Sequence, residues 1–310
     1  MKAIRSHTRG GPETLVYEDA PEPVLRDGDV LVRVHAAAIT PNELSWNSTW
    51  TDARRKDRRP IVPGFEVAGT VERIGPHATG LTRGDPVYGL LDFWRDGAAA
   101  EYVAVRAASL APKPESLDFV QSAAIPLSGL TAWQALFDHA RLSRGDSVLI
   151  HGAAGGVGSL AVQLAHSRRI KVHATASRQN IDFVRDLGAD QVLDYTAVRF
   201  EEEVQGTDAV LDTVGGETLD RSWAVLRPGG VLVKIADGVA EDQSAKYGVR
   251  LASILVQPNR DELIQLGQLI DAGTLRPVIA AVFPLPRARD AFARGLAGHN
   301  RGKLVLRIAG

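Results

Sequence analysis

Residues 147 to 165 read SVLIHGAAGGVGSLAVQLA. An apolar, β-branched run passes without a spacer into small residues, and these pass into a segment whose apolar residues recur at helical spacing. No other stretch constrains the fold as much. A strand that runs straight into a helix belongs to a βαβ unit, and such units build a parallel sheet with helices packed on it. The small residues add a second constraint. A helix N-terminus presents unbonded N–H groups and a partial positive charge, so backbone stripped of side chains there can take a pyrophosphate at close range. The dinucleotide fingerprint is GxGxxG; here it reads Ala153-x-Gly155-x-x-Gly158, with Gly152 just before. The competing explanation is a small-residue turn needed only for packing.

The surrounding texture fits the first explanation. SVLIH and SLAVQLAHSRR are followed by KVHATA and QNIDFVRDLG, then by AVLDTV, ETLDRSWAVL and VLVKIA. This βαβα order predicts a doubly wound parallel sheet with right-handed crossovers. The first third of the chain differs. MKAIR, DVLVRVHAAAI, VAGTVERIG, PVYGLL and AAEYVAV are short β-like runs cut by RDGD, RIGPH and TRGD, which predicts a small, mostly antiparallel β domain. The change falls near residue 117, where LDFVQSAAIPLSGLTAWQALFDHA turns helical with Pro126 as a break. Asn259 and Glu262 have capping-box spacing ahead of a helix. The final run VIAAVF, RARDAFARGLAG and KLVLRI is expected to return to the first domain. The expected domains are 1–117 completed by 259–310, and 118–258.

The second strand of the parallel sheet ends in ASRQN. A site that prefers NAD places Asp or Glu there, roughly 20 residues beyond the glycines, to take the ribose 2′-OH. This chain has Ala176, Ser177 and Arg178. A hydroxyl and a guanidinium suit a 2′-phosphate, which needs charge-assisted donors, so NADPH is expected over NADH. Alternatively, Arg178 is simply an exposed loop charge.

Composition narrows the remaining classes. The chain has 310 residues, a net charge of −1 and no cysteine. The first suggests two domains. The second offers no global field for nucleic acid or an anionic membrane. The third excludes disulfides, thiolate chemistry and every cysteine-based zinc site. No apolar run approaches the ~18 residues of a membrane span, and MKAIRSHTRGG lacks a signal-peptide core, so a cytoplasmic protein is expected.

The motifs together resemble the medium-chain dehydrogenase/reductase superfamily, in the zinc-free quinone oxidoreductase group related to zeta-crystallin. VPGFEVAGTV at 62–71 is similar to its Gly-x-Glu segment, and AAAITPNEL at 36–44 to its Asn-Pro-x-Asp segment. IPLSGLTAWQAL at 125–136 is similar to its helix beside the nicotinamide, and HGAAGGVGSLAVQLA to its nucleotide loop. LGADQVLDY and RGKLVL complete the set, and the likeness covers nearly the whole chain. It implies a GroES-like β domain plus a Rossmann domain, with the active-site cleft between them. It implies Gly155, Gly156, Val157 and Gly158 at the pyrophosphate, Ser177 and Arg178 at the 2′-phosphate, and Tyr195 against the adenosine. Thr131, Thr213, Val214, Ile235 and Ala236 would border the nicotinamide side. Each has a plainer alternative in core or surface packing.

In the zinc alcohol dehydrogenases of this superfamily, Cys and His hold the catalytic metal. The matching positions here are Thr40, Phe65 and Leu127, and the cysteine-rich zinc lobe is missing. No metal is therefore expected. Without a Lewis acid to polarise an alcohol, the expected reaction is hydride delivery from NADPH to an acceptor that is already electrophilic, a quinone or an α,β-unsaturated carbonyl. The chain departs from the pattern at catalysis. The family's Asn is Thr40, and a Tyr common in relatives is Ser45. Thr40, Asn42 and Tyr247 remain catalytic candidates, and Trp46, Trp50, Phe65, Tyr88 and Trp94 candidate substrate-lining residues. His35, His151 and His173 sit in strand patterns and read as structural. The alternatives are a dedicated enoyl reductase of a biosynthetic pathway and a non-catalytic NADPH-binding sensor or structural protein. The resemblance also implies a homodimer through the edge run LASILVQ, 251–257.

Overall fold

A computed structural model describes residues 1–235 and 241–308 of the chain. It divides into two compact units: Met1–Leu127 with Gln257–Gly273 and Pro277–Gly310, and Ser128–Val256 with Thr274–Arg276.

The first unit is built on a seven-stranded sheet. The Asp29–Ile39 strand pairs antiparallel with Glu66–Ile74, Tyr102–Arg106 and Lys303–Arg307. It is buried along nearly its whole length, with Arg33 the exposed exception, which is why DVLVRVHAAAI reads as a continuous apolar run. The C-terminal run returns as expected. Lys303–Arg307 joins this sheet, and the Ala288–Leu296 helix puts Phe292 into a core with Ile4, Trp50, Ile61 and Leu306. The Leu15–Asp19 strand, paired with Lys2–Ser6, has no counterpart in the sequence pattern. Val16 and Tyr17 are exposed on it, so no alternating apolar face marks it.

The boundary between the units falls after Leu127 rather than at 117. The Phe119–Ala123 helix packs on Asp29–Ile39 and Glu66–Ile74, and Phe119 stacks on His35 with ring centroids 4.2 Å apart. Helical texture therefore begins before the second unit does. Asp118 caps that helix in a capping box with Gln121, and Pro126 opens the next helix, Pro126–Trp133. The other capping expectation also holds: the Asn259 side chain accepts from the N–H groups of Asp261 and Glu262 ahead of Arg260–Asp271.

The second unit carries a six-stranded parallel sheet. Its order is Gln191–Asp194, Lys171–Ala176, Ser147–Ile150, Thr207–Asp212, Leu226–Lys234, Arg250–Ser253. Counted along the chain this is 3-2-1-4-5-6, the Rossmann order, and its switch point lies between Ser147–Ile150 and Thr207–Asp212. Arg250–Ser253 is an edge strand and shorter than the 251–257 run that suggested it. His151 is fully buried and pinned at both ring nitrogens, Nδ1 to Thr175 Oγ1 and Nε2 to Ser222 Oγ, each at 3.0 Å. Burial pushes its imidazole down to about 3, so it is a neutral structural histidine.

Candidate functional site

On the second unit, the strand Ser147–Ile150 ends at the switch point and the helix Gly156–Ser167 begins a few residues later. Two glycines close this corner. Gly152 has φ +67°, and a Cβ on it would lie 2.4 Å from Thr213 Oγ1. A Cβ on Gly158 would lie 2.3 Å from the Gly152 carbonyl oxygen and 2.7 Å from Ala153 Cα. Neither position tolerates a side chain, because the helix approaches the strand end at backbone contact. Gly155 is the N-cap, and Gly156, Val157 and Gly158 form the first helical turn. Their N–H groups have no intrahelical acceptor, and Gly155, Gly156 and Val157 are only half-buried. This is an anion cradle of the kind a pyrophosphate fills.

The next strand, Lys171–Ala176, ends beside it. Ser177 Oγ accepts from Asn180 Nδ2 at 3.0 Å, which leaves its own hydrogen to donate. Arg178 is exposed and its guanidinium makes no ion pair with a described residue. The neighbouring carboxylate, Asp194, is held below the usual range, first by the Thr196 hydroxyl at 2.6 Å and also by the N–H and charge of Arg178. Tyr195 follows it, half exposed at 50%. The turn after Thr207–Asp212 is held by Asp212, whose buried carboxylate accepts from Val214 N–H at 2.9 Å and Gly215 N–H at 3.0 Å. Burial raises the Asp212 carboxyl above its ordinary value. Thr213 donates to the His151 carbonyl at 2.8 Å, and Val214 is 54% exposed. Ile235 is half-buried, with its N–H on the Asp212 carbonyl. Thr131 is buried in Pro126–Trp133. Ala236 lies outside the described residues. Tyr247 packs against the core around Trp223, with the Lys246 ammonium 4.9 Å from its ring centroid.

The first unit holds the other candidates. Thr40 is half-buried and Asn42 exposed. Phe65 is buried, stacks on half-buried Trp46 at 6.1 Å and meets Phe93 edge-on at 5.1 Å. This aromatic cluster presents Trp46. Trp94 is half-buried, its N–H capped by Asp92 at 2.9 Å, and it borders an open cavity of about 420 Å³ with Arg58, Arg95 and Tyr102. Two expected lining residues are corrected. Trp50 is 2% exposed and its Nε1 donates to the Leu44 carbonyl, so it is core. Tyr88 is wholly buried and its hydroxyl donates to the Leu263 carbonyl at 2.5 Å, tying a strand to a helix. Buried aromatic residues satisfy their polar tips inside the protein, and sequence alone does not show which way they point.

Three ionisable residues that the sequence reading did not single out converge beside Thr40. The carboxylate of Glu43 accepts from Thr40 N–H at 3.0 Å and Gly64 N–H at 2.6 Å. Glu66 accepts from Leu127 N–H at 2.9 Å and pairs with Lys303 Nζ at 2.5 Å. Lys303 reaches Thr40 Oγ1 at 3.5 Å. All three are buried, and burial pushes Glu43 up to about 7. Part of the signal was available: Glu66 and Lys303 are charges inside otherwise apolar runs, GFEVAG and GKLVL, whereas Glu43 lies in the mixed run ITPNEL.

A family model for the alcohol dehydrogenase GroES-like domain matches residues 26–115, and one for zinc-binding dehydrogenases matches residues 187–306. Human quinone oxidoreductase is 32% identical, across 99% of this chain and 97% of its own. The chloroplastic NADPH-dependent alkenal/one oxidoreductase of Arabidopsis thaliana is 35% identical, across 99% of this chain and 79% of its own. Among solved structures, the quinone oxidoreductase from Coxiella burnetii matches with a TM-score of 0.92 at 35% identity, covering 99% of each chain. The second family model raises zinc, and the residues do not fit it. The resemblance sets Phe65 and Leu127, which cannot ligate a metal, at the ligand positions, and no cluster of three or more His, Cys, Asp or Glu suited to a metal occurs among the described residues.

Proposed function

Because the chain belongs to the medium-chain dehydrogenase/reductase superfamily, in its zinc-free quinone oxidoreductase branch, we propose that it reduces a quinone or an α,β-unsaturated carbonyl with NADPH. One combination carries this reading: a formed dinucleotide corner in a chain with apolar side chains at the metal-ligand positions. When bound, the dihydronicotinamide supplies a hydride. The protein's part is to bind and orient. Gly156, Val157 and Gly158 offer the N–H groups for the pyrophosphate, and Gly155, its own N–H on the Gly152 carbonyl at 3.0 Å, shapes the turn. Ser177 and Arg178 take the 2′-phosphate, and Ala176 puts no carboxylate against it, which supports NADPH over NADH. Thr213 and Val214, fixed by Asp212, wall the nicotinamide ribose. An acceptor that is already electrophilic needs no Lewis acid, only a position and a donor for its oxygen.

The test is NADPH consumption with a panel of simple quinones and enones. Turnover of several of them is expected. Tight NADPH binding with no turnover of any acceptor refutes the enzyme and leaves a sensor. The edge strand Arg250–Ser253, followed by Leu255 at 63% exposure, supports a homodimer by edge pairing. A monomer in sedimentation at micromolar concentration would contradict that.

A further inference from the structure

We propose that Lys303, held by Glu66, fixes the Thr40 hydroxyl as the hydrogen-bond donor to the acceptor's oxygen during reduction. This rests on the quinone or enone reading above and adds the group that stabilises the developing charge.

An ammonium donates and never accepts. Where Lys303 Nζ faces Thr40 Oγ1, at 3.5 Å, the threonine oxygen must therefore be the acceptor. The Glu43 N–H is spent on the Thr40 backbone carbonyl at 3.0 Å, so Lys303 is the donor that faces the hydroxyl oxygen. A cation against the hydroxyl oxygen leaves its hydrogen pointing elsewhere, and no hydrogen bond to an acceptor engages that hydrogen among the described residues. Thr40 is half-buried, so that hydrogen is not sealed in the core. Its backbone is pinned as well, by the Glu43 carboxylate on its N–H. Lys303 in turn cannot swing away. Its side chain is 8% exposed, and its charge is tied at 2.5 Å to Glu66, itself anchored on the Leu127 N–H.

The chemistry needs such a donor. Addition of H⁻ at the β-carbon of an enone forms one C–H bond. The displaced π pair moves onto the carbonyl oxygen, which becomes an enolate, and a proton from water completes the reduction. For a quinone the oxygen becomes a phenolate in the same way. A neutral hydroxyl with a lone pair engaged by a cation is a stronger donor than a free one. It is also already oriented, so it costs no reorganisation when the charge appears. In this arrangement Thr40 touches the reacting oxygen, and Lys303 and Glu66 are positioning residues. Lys303 lies one hydroxyl behind the oxygen with its charge balanced by Glu66, so its part is to hold the hydroxyl's direction.

The test uses the full chain and two readouts. The first is 4-nitrophenol, a non-reducible phenolate probe, titrated by absorbance while bound. In the wild type its phenol-to-phenolate midpoint should fall by about one pH unit. Thr40→Val should abolish that shift, Thr40→Ser should retain it, and Lys303→Met should remove most of it. The second is kcat for a quinone, expected to fall ~100-fold in Thr40→Val and ~10-fold in Lys303→Met, with KM for NADPH unchanged. Lys303→Met strands the Glu66 carboxylate, so Lys303→Met/Glu66→Gln, which removes both charges, is the folded comparison. Folded variants with wild-type kcat and probe midpoint overturn the proposal, as does a wild type that leaves the probe unshifted or unbound at millimolar concentration. A shifted probe with no turnover of any quinone or enone would instead overturn the acceptor reading and leave the donor pair standing.

Discussion

Replacing Glu43 by glutamine should change how stability depends on pH. The Glu43 carboxyl is fully buried, and burial is the largest influence on it. The N–H groups of Thr40 and Gly64 and the charge of Lys303 oppose burial, the charge of Glu66 reinforces it, and the carboxyl ends at about 7 instead of 4.5. The folded value is raised, so the folded chain holds this proton more tightly than the unfolded chain. Between pH 4.5 and about 7 the unfolded state has lost a proton that the folded state keeps, and stability falls as pH rises. The contribution is complete below 4.5 and lost as pH passes through 7. At 1.36 kcal/mol per pH unit, the interval corresponds to about 3 kcal/mol. Glutamine cannot ionise, so this slope disappears. It also has one acceptor oxygen where the carboxylate uses two, and its amide would face the Thr40 N–H donor to donor, at a constant cost of about 1–3 kcal/mol. The variant should therefore be less stable than wild type at pH 5 and as stable or more stable at pH 8. Guanidinium unfolding of both proteins at pH 5, 6.5 and 8 measures this. A difference that stays constant over that range would refute the reasoning, since Glu43 would then keep one protonation state throughout.

Three further outcomes are expected. Arg178→Ala should weaken NADPH binding about 10- to 150-fold, the worth of one hydrogen bond to a charged group, and leave NADH nearly unaffected; fluorescence titration with both cofactors checks it, and equal losses would mean that Arg178 only holds its loop. Gly158→Ala should cost about 1–3 kcal/mol of folding stability in guanidinium unfolding, because the added methyl would sit 2.3 Å from the Gly152 oxygen, and Gly155→Ala should cost less, its nearest contact being 3.2 Å. Chelator treatment should leave turnover of a quinone intact; activity lost to chelation and restored by zinc would mean that Phe65 and Leu127 had misdirected the assignment.

Local pattern sufficed for the second unit's sheet and its glycine corner. A parallel sheet buried on both faces leaves near-continuous apolar strands, and the close approach at Gly152 and Gly158 leaves no choice of residue. The same logic gave the return of Lys303–Arg307 to the first sheet through the segment RGKLVL. The strand Leu15–Asp19 escaped because it buries too little to show a period, and the unit boundary because Phe119 stacks on a histidine far away in sequence.

Side-chain direction was not legible either. Trp46 and Trp50 stand four residues apart, at the N-cap and the last residue of the short helix Asn47–Trp50, yet Trp46 is half-buried beside buried Phe65 and Phe93 while Trp50 points its indole N–H at Leu44 inside the core. Each charge of Glu43, Glu66 and Lys303 is visible in the sequence, but that the three meet is not, for a deeper reason. Each residue alone is an ordinary charge. Only the pairing of Asp29–Ile39 with Glu66–Ile74 on one side and Lys303–Arg307 on the other brings them together, and Coulomb interaction acts on distance in space, not along the chain. The sequence by itself determined the nucleotide corner and the absence of thiolate ligands; the tertiary structure decided which charges share a buried space and therefore what Thr40 can donate to.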